Sequence, residues 1–164
     1  MEFNSVIDYI TLFFLQYVPN GFIYILAGYA LSKKPIDIKK YFLSSTILAI
    51  FGFTAKILSE MKLLNTSNTV PQILILFSCI FLLVNINQIK LVKATISSLI
   101  VMILQLFFEV VYVVLILKSI IGINIDKIFN KSLFMTSLIG LPYLLTLGLL
   151  VLLYYKFMVK RRVQ

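Results

Sequence analysis

The chain has 164 residues, 61% of them hydrophobic and 13% charged, with a mean hydropathy of +1.04. A soluble domain is about half apolar and a quarter charged, and one of this size cannot hide such an excess in its core, so the composition excludes an ordinary soluble protein. The net charge is +9; the absence of histidine and the single Cys79 exclude intrachain disulfides and Cys/His zinc sites.

A membrane-spanning helix needs about 20 mostly apolar residues, and five stretches meet that requirement. The first runs from about residue 7 to 31. The N-terminus before it, "MEFNSVID", carries Glu2 and Asp8 where a cleavable signal carries Lys or Arg, so none is expected. "YVPNG" interrupts this stretch. Pro19 either kinks one long helix or starts a new one after a short re-entrant or interfacial helix at residues 5–17. Gln16, Asn20 and Tyr24 follow one another at four-residue steps around the break. Irregular backbone at membrane depth is tolerated only where it is packed or wet. The set is therefore either a packing kink satisfied by Asn20 or one wall of a cavity.

The second span, about 41–58, follows "SKKPIDIKK" and carries Lys56 inside its far end. "SEMKLLNTSNTV" leads to the third, about 70–89. Its "NTS" at Asn65 matches a glycosylation acceptor by chance, since thirteen Lys against two Arg hint at a bacterial source. "NQIKLVK" connects to the fourth span, about 94–117, and residues 118–131 suggest a short amphipathic helix on the membrane surface. The fifth span is about 133–159, where Pro142 in "GLPYLL" is expected to break the helix as Pro19 does. Ser132, Thr136, Gly140 and Gly148 lie on it at multiples of four, a packing seam within the bundle or else a homodimer face. Short connections make neighbouring spans antiparallel. The expected fold is thus one all-α polytopic membrane bundle over residues 1–164, with five transmembrane helices and a possible sixth, re-entrant N-terminal one.

Orientation follows from Lys and Arg in the short loops. Lys33, Lys34, Lys39, Lys40, Lys90, Lys93, Lys156, Lys160, Arg161 and Arg162 fall on one side; Lys62, Lys118, Lys127 and Lys131 fall on the other. This places the N-terminus outside and the C-terminus in the cytoplasm of a bacterial cell. The basic excess then faces anionic lipid. No basic stretch is interleaved with exposed aromatics in a soluble segment, so nucleic acid is not an expected partner.

The fourth span holds the one carboxylate deep in an apolar run, Glu109 in "LQLFFEVVYVV". With Ser98 at zero on a helical wheel, Gln105 falls near about −20°, Glu109 near +20° and Tyr112 near −40°. The resulting stripe should face protein or trapped water. A carboxylate at the bilayer centre costs about 3 kcal/mol on insertion scales, which protonation or pairing reduces. By depth the natural partner is Lys56. Alternatively Lys56 snorkels to the headgroups and Glu109 bonds Gln105 or a hydroxyl. The candidate ligand-binding residues are Glu109, Gln105, Tyr112, Lys56, Asn20 and Gln16. No Walker loop, paired-carboxylate arrangement or nucleophile elbow is present, so the chain reads as a non-enzyme without cofactor or metal.

The order of "QYVPNGFIYILAGYAL", "VPQILILF", "KATISSLIVMILQLFFEVV" and "KSLFMTSLIGLPYLLTLGLLVLLYYK" resembles the N-terminal membrane region of Firmicute sensor histidine kinases with a GHKL-type ATPase domain. Quorum-sensing receptors of the accessory-gene-regulator type belong to that group. The resemblance implies a dimeric sensing bundle that signals through its last span to a cytoplasmic kinase, with Glu109 and Lys56 at polar positions of that region. The chain ends at "VKRRVQ" with no phosphoacceptor His and no ATPase, so the expectation is an excised sensor domain or a relative acting through a partner. The leading function is a sensor or receptor for a small ligand, peptide or lipid near Glu109. A small transporter with Glu109 coupling to protons, and a membrane scaffold or assembly factor, are the alternatives.

Overall fold

The computed structural model describes residues 3–60, 69–112 and 133–160, and all of its regular elements are helical. They are α1 (Phe3–Leu12), a π-helical turn (Phe13–Tyr17), α2 (Val18–Ser32), α3 (Ile38–Glu60), α4 (Thr69–Asn85), α5 (Leu91–Val110) and α6 (Leu133–Lys160). Residues 61–68, with Lys62 and Asn65, lie outside the described residues, as do the expected surface helix at 118–131 and the far end of the fourth span, 113–117.

Pro19 does not split the first span. Leu12, Tyr17 and Val18 all keep right-handed helical dihedrals, and one apolar rod runs from Val6 to Ser32. In a regular α-helix the Pro19 ring would press on the Leu15 carbonyl, and its missing N–H would leave that carbonyl unpaired. The π turn just upstream answers this by widening the ladder, the Val18 N–H reaching back to the Phe13 carbonyl. Pro142 behaves more simply. It sits inside an unbroken α6, contrary to the break read from "GLPYLL". A proline removes one helical hydrogen bond, which a helix supported by neighbours in a bundle tolerates.

Four helical stretches are long and apolar enough to cross a membrane: Val6–Ser32, Ile38–Ser59, Leu91–Val110 and Ser137–Met158. The third expected span is shorter than its apolar run. α4 has 17 residues, about 26 Å at helical rise against a hydrocarbon slab of about 30 Å. It stops at Asn85 because the chain turns there. The Asn87 N–H and its side-chain amide both donate to the Leu82 carbonyl at 3.1 Å, and Gln88 takes a left-handed φ of 52°.

α2 is the hub. It packs on α3, α4, α5 and α6, which follow one another around it, and nearly every residue from Gly21 to Ala30 is buried. A helix apolar on all sides belongs in a core. Small residues allow the closest approaches. A Cβ on Gly21 would lie 2.6 Å from the Ser45 carbonyl, and Ala49 packs beside it. Gly28 leaves room for the Leu83 methyls, and Gly148 for Ile23. The small-residue seam on α6 is thus spent within the chain at Gly140 and Gly148; Ser132 lies outside the described residues, and of the Thr136 side chain nothing is described.

The burial pattern is that of a membrane protein. Phe77 and Phe81 are about two-thirds exposed, at 65% and 64%, while Ser44, Ser45, Asn87, Ser97 and Ser98 are wholly buried. In water such a surface would drive association; in lipid it is the expected exterior. The chain is an all-α, multi-pass membrane bundle.

Candidate functional site

At the lysine-rich end, two connections are stitched together. Lys33 adopts a left-handed φ of 55°, which lets the Lys33 and Lys34 N–H groups close α2 on the Ala30 and Tyr29 carbonyls. The Lys34 ammonium then donates to the Asn87 carbonyl at 2.7 Å. The Tyr29 hydroxyl donates to Asn87 Oδ1, also at 2.7 Å, with both side chains fully buried. The Ile36 N–H donates to the Tyr155 hydroxyl at 3.1 Å, tying the far end of α6 to the α2–α3 connection. Sequence reading missed this network. Its one signal is "NINQ" at 85–88, three polar residues in four at the junction of span and loop.

The opposite half of the bundle holds the expected polar residues. On α5, Ser98 is buried and donates to Cys79 Sγ of α4 at 3.3 Å. Two turns further along, Gln105 stands beside Tyr143 of α6. Glu109, one turn beyond, is half-buried and lies near Tyr143. The stripe read from the wheel therefore does turn inward. Tyr112 follows it, half-buried against the core.

Between α2, α4 and α5 lies a cavity of about 40 Å³, lined by Asn20, Tyr24, Gln72, Ile75, Met102, Gln105 and Leu106. Two of its wall residues carry buried amide oxygens with no hydrogen-bond partner, Asn20 Oδ1 and Gln105 Oε1. An unpaired buried acceptor costs about 1–3 kcal/mol. Larger concavities exist, such as one of about 650 Å³ between α3 and α4, but their walls are almost wholly apolar and open toward the lipid-facing surface.

The six expected site residues are not all gathered. Asn20 and Gln105 line the cavity; Glu109 does not, and stands near Tyr143 one turn beyond Gln105. Gln16 sits at the π turn with its amide nitrogen where a Cβ on Gly140 would be, one helical turn before Tyr143. Lys56 is elsewhere. It stands half-buried on α3, and α3 has no extended packing with α5 because α2 and α4 separate them. Among the described residues no lysine or arginine forms an ion pair with Glu109; the pair formed is Lys40 with Asp37, at 4.0 Å. Similar depth puts Lys56 and Glu109 at one height in the membrane without placing them on the same side of the bundle. Tyr24, Gln72 and Tyr143 are site residues that the list lacked, although Tyr24 was already visible in the four-residue series.

Chemically the site offers neutral acceptors, phenols and one carboxylate. No group of three His, Cys, Asp or Glu side chains capable of holding a metal occurs among the described residues. Comparison with protein-family models, with curated proteins and with solved structures finds no match to this chain.

Proposed function

We propose that the chain is a membrane sensor or receptor module that binds a small ligand in the polar cavity beside Glu109. Binding repacks the helices and passes the signal to a cytoplasmic partner. The bundle works in a bacterial cell membrane as a homodimer or with a signalling partner, N-terminus outside and C-terminus inside, as the lysine distribution indicates. The observation that carries this reading is the cavity lined by Asn20, Tyr24, Gln72 and Gln105, two of whose residues, Asn20 and Gln105, also hold buried amide oxygens without a partner. A scaffold needing only to pack would fill that space with apolar side chains at lower energy.

The cavity's size supports coupling of binding to motion. The cavity is small, at about 40 Å³. A peptide or lipid must therefore either insert a single small group or part α5 from α2. The test is thermal unfolding of the purified protein against panels of small molecules, peptides and lipids, for wild type and Glu109→Gln. A ligand that stabilises wild type and loses its effect in the variant supports a receptor; no response to any panel counts against it. Reconstituted vesicles separate the transporter alternative. Substrate or proton flux abolished by Glu109→Gln would favour transport, and absence of flux favours the sensor.

A further inference from the structure

We propose that the groove between α3 and α4 is a site for one anionic phospholipid, with an acyl chain lying along Phe77 and Phe81 and the headgroup phosphate held by Lys40 and Lys90. This is a fixed site, distinct from the polar cavity and from the diffuse attraction of basic loops to anionic lipid.

The groove belongs to the lysine-rich half of the bundle. Ile47 and Phe51 of α3 form one wall, the second half of α4 from Phe77 to Asn85 forms the other, and Leu91, the first residue of α5, closes the head. Phe77 to Asn85 is about 12 Å of helix at 1.5 Å per residue. That length is apolar at its surface: Phe77 and Phe81 stand one turn apart and exposed, facing exposed Ile47 and Phe51. The Asn85 amide donates to the Phe81 carbonyl at 2.9 Å, so it asks nothing of an occupant. In hydrocarbon such a channel takes a chain.

Charge decides whose chain it is. Lys40 precedes Ile47 and Phe51 by seven and eleven residues, so both fall within about 20° of it around α3. Lys90 is exposed and adjoins Leu91 at the groove's head. The Lys34 ammonium is held against the α4–α5 turn by the Asn87 and Gln88 carbonyls, at 2.7 and 3.3 Å, and adds a third positive charge there. Asp37 is the one acidic residue in the segments at this end, and its pair with Lys40 is long, 4.0 Å, and exposed, which makes it weak. A phosphate between Lys40 and Lys90 gains charge-assisted hydrogen bonds. A phosphatidylcholine headgroup carries its own cation and returns no net charge to the cluster. A second copy of the chain is a poor occupant, because copies inserted the same way round would bring two lysine-rich ends together.

The full chain is purified in uncharged detergent, and its unfolding midpoint is followed as phosphatidylglycerol or phosphatidylcholine of the same acyl chains is added. Phosphatidylglycerol should raise the midpoint saturably, by about 3–6 °C at ten times its dissociation constant, and phosphatidylcholine should leave it unchanged. Lys40→Gln combined with Lys90→Gln should weaken the phosphatidylglycerol effect about tenfold. Lys93→Gln combined with Lys156→Gln removes the same charge away from the groove and should weaken it far less. In nanodiscs holding equal amounts of the two lipids, Phe81→benzoylphenylalanine should on irradiation capture mainly phosphatidylglycerol. Phe157→benzoylphenylalanine, equally exposed on α6, should capture both alike. Equal midpoints with the two lipids, or equal capture at position 81, overturn the proposal. Cross-linking of chain to chain at position 81 also overturns it and seats a second copy in the groove. Equal losses in the two lysine pairs reduce the effect to a diffuse field and overturn the site. The receptor reading rests on the other cavity and stands or falls separately.

Discussion

Asn20 and Gln105 hold buried acceptors unpaired, a condition that packing alone would remove. Replacing Asn20 by leucine deletes one such oxygen and supplies apolar contact. Asn20→Leu should therefore unfold at a higher temperature than wild type, by about 1–2 kcal/mol of stability, when no ligand is present, while losing the response to ligand. Destabilisation without ligand would mean that Asn20 is satisfied and structural. At the other end the sign reverses. Tyr29→Phe removes the donor to Asn87 Oδ1 and strands a buried acceptor, so denaturation in mixed micelles should show a loss of about 1–3 kcal/mol. The polar stripe on α5 was legible because period and polarity suffice to find it. Tyr29 was not, since a tyrosine in an apolar run reads as lipid-facing or core until its hydroxyl's partner, 58 positions away, is known.

Helix α2 owes its central place to small residues, and the two glycines that meet different atoms should behave differently. A Cβ on Gly21 runs into the Ser45 backbone carbonyl at 2.6 Å, which can yield only by moving α3. A Cβ on Gly140 meets the amide end of Gln16 at 2.5 Å, which can swing away. Gly21→Ala should thus lose about 1–3 kcal/mol by overpacking, and Gly140→Ala clearly less, both read from thermal unfolding. Equal losses would contradict the distinction between backbone and flexible contacts. Apolar runs located the helices, and "YVPNG" located the irregularity. What they could not supply was its form. A proline predicts a break or a kink equally well, and the π turn that absorbs Pro19 depends on Gln16, Tyr17 and Phe53 packing around it. The early stop of α4 was hidden for a similar reason, since Asn85 and Asn87 look tolerable in an apolar run until their hydrogen bonds are seen.

Across the whole molecule, the bundle is fastened at one end and polar-lined at the other. The Tyr29–Asn87–Lys34 network and the Ile36–Tyr155 bond fix the lysine-rich end. Composition gave membrane class, and the spans gave antiparallel order. Neither reveals which helix is central or which helices face each other, and that is why Lys56 was placed with Glu109 although α2 and α4 stand between their helices. The single cysteine provides the most direct test of the claim that ligand binding repacks the bundle. Cys79 is fully buried at the α4–α5 contact, held by the Ser98 hydroxyl on the same face of α5 as Gln105. With one thiol in the chain, alkylation by a small membrane-permeant maleimide reports this contact alone. Any panel ligand that stabilises the protein should change the labelling rate about tenfold in wild type and leave it unchanged in Gln105→Leu. A stabilising ligand that leaves the wild-type rate unaltered would contradict the account.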